Sequence, residues 1–237
     1  MVVMKESASF DRPSLLLGVR LCLPVAISVA AYGLVWGVLA GQAGMTVAEV
    51  AAMSALVFAG ASQFVALELW APIPPVWSLI AAALAVNLRF VLMTATLRPL
   101  FGQLPTRAAL WRMHLIADET WAIGMAEVAK GRDGAAAMIA GGLLLYVTWV
   151  TSTVTGRVLG TGLEDPTRWG LDFAFIAVFL ALLVSLWRGL GDLLPWLVAG
   201  GVAVAASLLV PGKWYIILGG LAGSLVGAWQ STRERTS

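Results

Sequence analysis

Four places in this sequence carry polar or ionisable residues inside otherwise apolar stretches. The first is Gly60-Ala61-Ser62-Gln63-Phe64. Gly, Ala and Ser allow a neighbouring backbone to approach closely. Gln63 places an amide, both donor and acceptor, at hydrocarbon depth, where it needs a partner or a wet cavity. Two readings stand: Gln63 as glue between helices, or a helix broken near residues 60–64 that offers Ser62 and Gln63 to a zwitterionic ligand, with Phe64 reading an apolar part. The second place is Asn87-Leu88-Arg89, deep in a run that starts at Val76 and stays apolar through Phe90-Val91. A buried guanidinium must be paired or hydrated, and its planar donors suit a carboxylate. The other reading ends the span at Arg89 and sends the arginine to the headgroups. Asn87 and Arg89 are two apart and face different directions on a regular helix.

The third place is His114 with Asp118 and Glu119. On one helix, His114 and Asp118 share a face at i, i+4, and a histidine beside a carboxylate exchanges protons near neutral pH. The same acids also serve as counter-charge for Arg89, or the segment is simply a solvated interfacial face. The fourth is Asp172, which opens a late apolar run. It is either an N-terminal charge favoured by the helix dipole or a proton carrier. Glu49 reads as a helix cap, and Glu68 as a further partner for Arg89.

The elements that would position these residues are membrane helices. Of 237 residues, 60% are hydrophobic and 12% charged, against about 25% charged in soluble domains. Mean hydropathy is +0.89, and eleven Trp suit long interfacial boundaries. The net charge of +2 is too small to imply nucleic acid. One cysteine, Cys22, and one histidine exclude an internal disulfide and any Cys-rich or multi-His metal centre, and no cofactor is expected. A bilayer core needs about 20 apolar residues. Runs of that order cover 21–48, 69–88, 135–156, 193–212 and 214–232, with shorter ones at 50–67 and 173–187. The segment 106–130, with Arg107, Arg112, His114, Asp118, Glu119 and Glu127, either lies in the interface or spans while shielded. The fold class is therefore an all-α, polytopic membrane bundle of seven or eight transmembrane helices in one domain over 1–237, with a cytoplasmic segment 1–18 and a short tail 231–237.

With eight spans and the N-terminus inside, Arg12, Lys130 and Arg132 are cytoplasmic, whereas Arg107, Arg112 and Arg157 lie outside. A faint internal repeat sets Trp36 to Trp70 beside Trp149 to Trp187. Such repeats occur in transporters, although two apolar stretches also resemble each other by composition alone.

Taken together, Gly60-Ala61-Ser62-Gln63-Phe64, Asn87-Leu88-Arg89, Ala117-Asp118-Glu119-Thr120 and Leu171-Asp172-Phe173 resemble, in order and spacing over nearly the whole chain, the AzlC family. These are the large subunits of branched-chain amino acid exporters. The resemblance implies a small AzlD-like membrane partner, export of leucine, isoleucine, valine or similar apolar amino acids driven by protons, and a bacterial cytoplasmic membrane. On that reading Ser62, Gln63, Phe64, Asn87 and Arg89 bind substrate, and Asp118, Glu119, His114 and Asp172 carry the coupling proton or balance charge. The chain is then a permease and not an enzyme. The rivals are an intramembrane serine hydrolase built on Gly60-Ala61-Ser62, a non-transporting scaffold, and an importer or passive channel.

Overall fold

The computed structural model describes residues 10–101, 104–132, 134–162, 180, 183–184, 187, 189–210 and 214–236. All regular structure among them is helical: α1 (Arg12–Gln42), α2 (Val47–Val57), α3 (Gly60–Glu68), α4 (Val76–Phe101), α5 (Thr106–His114), α6 (Asp118–Ala129), α7 (Gly134–Leu159), α8 (Leu193–Leu209) and α9 (Trp214–Thr236). Among the described residues, four helical stretches are long and apolar enough to cross a membrane: Arg12–Gln42, Val76–Leu97, Gly134–Gly162 and Leu190–Leu209. Asp172 and most of the run 173–187 lie outside the described residues.

The chain forms two compact units, Met1–Leu67 with Asn87–Leu171, and Glu68–Val86 with Asp172–Ser237. In the second, Gly219 and Gly223 of α9 lie against Ala203 and Ala199 of α8. The first unit is organised by α1 and α7. A Cβ on Gly18 would strike the Ala137 carbonyl, one on Gly141 the Cys22 sulfur, and one on Gly37 the Thr153 carbonyl. Partner numbers rise together along both helices, so α1 and α7 run parallel in backbone contact, as small residues permit in membranes. Asp11 starts α1 by accepting the Ser14 amide at 3.3 Å. Arg157 near the end of α7 donates through Nε to the Met45 carbonyl at 2.6 Å, just past the end of α1.

Between these two helices the chain does not cross where apolarity suggested. α2 and α3 fold back on each other. Phe58 between them is left-handed at φ 42°, and Gln63 on α3 donates its amide to Ser54 on α2 at 3.2 Å. Nine residues of continuous helix would put those side chains about 13 Å apart. The run 50–67 is thus a helical hairpin and not a span. It enters from the end where α1 finishes, and the capping box between Thr46 and Glu49 marks its start. Hydrogen bonds from the Thr46 amide (2.7 Å) and hydroxyl (2.8 Å) hold the Glu49 carboxyl below its ordinary range.

The segment 106–130 is a second hairpin of opposite orientation. Leu97 and Phe101 at the end of α4 pack with Ala135 and Met138 at the start of α7. α5 begins five residues after the first pair and α6 ends five residues before Gly134, so the segment enters and leaves at the same end. It neither spans nor lies flat. Glu127, whose side chain is 3% exposed, pairs with Lys130 (2.8 Å) and Arg132 (2.7 Å) and fixes the α6–α7 turn. The four short helices have 11, 9, 9 and 12 residues, about 14–18 Å each, or half a bilayer core. Arg107 consequently shares an end with Arg12, Lys130 and Arg132 and not with Arg157, contrary to the eight-span assignment.

Single cysteines replacing Thr106 and Lys130 in a Cys22→Ala background should label with an impermeant maleimide from one face of the membrane, and one replacing Ala43 from the other. Labelling of Thr106→Cys and Lys130→Cys from opposite faces would refute the second hairpin. Gly37→Leu should cost at least about 2 kcal/mol by overpacking the α1–α7 seam, read as a lower thermal midpoint in detergent.

Candidate functional site

Both hairpin tips reach the middle of α7. Tyr146 stacks edge-on against Phe58 of the first tip at 5.1 Å and against His114 of the second at 5.7 Å. Around the tips the polar residues divide into a buried group and a partly exposed one.

The buried group centres on Gln63, which is 0% exposed. Its Oε1 accepts from Trp149 Nε1 at 2.8 Å and its Nε2 donates to Ser54 Oγ at 3.2 Å. Thr153 donates to the same Ser54 hydroxyl at 2.9 Å. This network ties α2, α3 and α7 together and leaves Gln63 little surface for a ligand. Phe64 is also fully buried, edge-on to Tyr32 of α1 at 5.3 Å.

The partly exposed group is spanned by α4. Asn87 donates its amide to Ser62 Oγ at 3.4 Å, and Arg89 pairs with Asp118 at 2.9 Å. The two-residue spacing that points Asn87 and Arg89 apart is what lets one helix reach both hairpins, Ser62 on the first and Asp118 on the second. Asn87 Oδ1 and Arg89 Nε are buried with no hydrogen-bond partner on the protein. Side chains of Arg89 and Asp118 are 37% and 44% exposed. Glu119 follows Asp118 and is exposed, within electrostatic reach of Arg89, Asp118 and Tyr32. Both acids sit in the first turn of α6, where the dipole favours negative charge. Thr120 closes that turn by accepting the Ala117 amide at 2.9 Å.

His114 does not share a helix face with Asp118, because the chain leaves helix between them at residues 115–117. Its Nε2 meets the Ala55 carbonyl at 2.9 Å. Ser62 and His114 therefore have separate partners and are not paired as nucleophile and base.

Comparison with known proteins adds the lineage. The family model described as AzlC protein matches residues 24–163, more than half of the chain. The chain belongs to the AzlC family. This AzlC chain is 27% identical over 228 residues to an uncharacterized membrane protein of Archaeoglobus fulgidus, covering 95% of this chain and 97% of that one. Similarity to the inner membrane protein YgaZ of Escherichia coli is 29% over 175 residues, 71% of each chain. Similarity to the branched-chain amino acid transport protein AzlC of Bacillus subtilis is 24% over 204 residues, 82% of this chain and 76% of that one. No solved structure matches. The match spans both hairpins and the polar residues around their tips. The chain is a multi-pass membrane protein.

Sequence reasoning did not single out Ser54, Tyr146, Trp149 or Thr153. The signal was the cluster Tyr146 to Thr153, unusually rich in hydroxyls and indole for a span. Among the described residues no group of His, Cys, Asp and Glu could hold a metal. Gln63→Leu would leave the Trp149 N–H buried without an acceptor and should destabilise the protein by about 1–3 kcal/mol, measured by thermal unfolding in detergent beside Gln63→Glu, which keeps an acceptor.

Proposed function

We propose that this chain is the large subunit of a permease that exports branched-chain or similar apolar amino acids across the cytoplasmic membrane, with a small AzlD-like partner and protons as the coupling ion. The name of the Bacillus subtilis relative, a branched-chain amino acid transport protein, supports the substrate class. One observation carries the site. The Arg89–Asp118 pair stands between α4 and the tip of a half-membrane hairpin, partly exposed, with Arg89 Nε unspent.

A zwitterion can exchange with that pair. Its carboxylate takes the Arg89 guanidinium, for which a planar fork is well matched. Its ammonium takes Asp118 or Glu119, with Asn87 Oδ1 as a further acceptor. Ser62, held by Asn87, is the first hairpin's contact with α4, and the buried Gln63 and Phe64 hold that hairpin in shape. The coupling proton resides on Asp118 or Glu119, with His114 and Asp172 as further candidates. Ionisable groups inside a membrane bundle are the usual mark of a transport path. Arg12, Arg107, Lys130 and Arg132 gather where α1 begins, and the positive-inside rule supports a cytoplasmic side for that end.

Leucine efflux from preloaded cells expressing both subunits tests this reading. Arg89→Gln should lower efflux about ten- to a hundredfold, the worth of a charge-assisted contact, without lowering the amount of protein in the membrane. Efflux at the wild-type rate would remove Arg89 from the site.

A further inference from the structure

The break between α2 and α3 frees the last carbonyls of α2 from their i+4 amides. One of them, Ala55 O, meets two side chains from different elements: Nε2 of His114, at the tip of the second hairpin, at 2.9 Å, and the hydroxyl of Tyr146, in the middle of α7, at 3.1 Å. Four rings close around this oxygen. Phe58 lies 6.2 Å from His114 and 5.1 Å from Tyr146, and Trp111 lies 6.4 Å from His114. Phe58 itself holds a left-handed backbone without being glycine, a conformation that persists only when its surroundings enforce it. Phe58 is 8% exposed and Ala59 4%.

We infer that Ala55 O, His114 and Tyr146 form a latch that locks the two hairpin tips together, and that this latch opens and closes in each transport cycle. His114 and Tyr146 are thus positioning residues. The two hairpins enter from opposite ends of the α1–α7 pair, so a latch between their tips is the last barrier between the two sides. Release of the His114 bond frees the second hairpin, which carries Asp118 and Glu119. Release of the Tyr146 bond frees only the Phe58–Ala59 tip of the first, because the Gln63 network still holds the rest of that hairpin on α7. The second hairpin takes with it the Asp118 carboxylate that Arg89 of α4 holds beside it. In lipid the opened carbonyl needs a new donor, which entering water supplies on whichever side has opened.

This inference rests on the transport reading for its purpose but not for its test. The full chain in membranes, with Cys22→Ala and Ala59→Cys, reports the junction through its rate of maleimide labelling. Tyr146→Phe keeps the ring and removes only the hydroxyl, and His114→Phe removes the other donor. Both together should raise labelling at position 59 about tenfold, each alone less, and His114→Gln, which keeps an N–H, should stay near the parent. In parallel, native Cys22, 0% exposed in the α1–α7 seam, should label no faster when the same two donors are removed. Unchanged labelling at position 59, or an equal rise at Cys22, would overturn the latch. Labelling needs no substrate, so a failure here is distinct from a failure of the efflux assay.

Discussion

A helix that stops halfway through a bilayer leaves carbonyls and amides that water cannot reach, and every one of them must find a partner on the protein. This chain stops twice. At the first stop Phe58 turns left-handed, and the Ala55 carbonyl is taken by Tyr146 and His114. At the second, a tight turn bonds the Leu115 and Ile116 amides to the Arg112 and Met113 carbonyls, and Thr120 covers the Ala117 amide. The donors for the first stop come from α7 and from the second hairpin. The first tip is therefore incomplete without α7 and the second hairpin, and α7 must stand where it can reach that tip.

That placement follows from the α1–α7 seam. Small residues on both helices allow parallel backbone contact over most of their length, and van der Waals packing of this kind is what holds helices together in lipid. With the pair fixed, Tyr146 of α7 stands between the two tips, Trp149 packs on the first hairpin at Gly60, and Tyr32 of α1 meets Phe64. The Gln63 amide then finds Trp149 at 86 residues' separation. A fully buried amide satisfied at both ends is rigid, since breaking either bond strands a polar atom in a low dielectric.

Some local features were legible in the sequence, whereas the path of the chain was not. A break near 60–64 followed from Gly60-Ala61-Ser62-Gln63, and the structure puts it two residues earlier, at a phenylalanine that no turn rule would choose. An ion pair for Arg89 followed from its depth, and Asp118 was among the partners named. The pairing of His114 with Asp118 failed because helical spacing was applied across a point where the helix ends. Hydropathy misled for 50–67, and for 106–130 neither reading left open, a shielded span or an interfacial helix, is the hairpin that forms. Hydropathy measures apolar length, and a hairpin of two half-length helices has the same length and composition as a single span. The topology inherited that error. With 106–130 counted as a crossing, Arg107 was set opposite Arg132, whereas the two share an end and the charge asymmetry around α1 and α7 becomes pronounced.

The contrast between the two polar groups bears on which of them can move. The Gln63 network is buried and saturated, so altering it exposes unpaired atoms. The Arg89–Asp118 pair is more than a third accessible on both sides, so another polar group can reach it and compete for its hydrogen bonds. An arginine placed deep in an apolar run carries a desolvation cost that such a pair does not offset. Its location is therefore poorly explained by folding alone. Under the proposed function, such a pair would trade one partner for a substrate carboxylate and the other for an ammonium, with charge conserved, while the saturated network holds the first hairpin on α7.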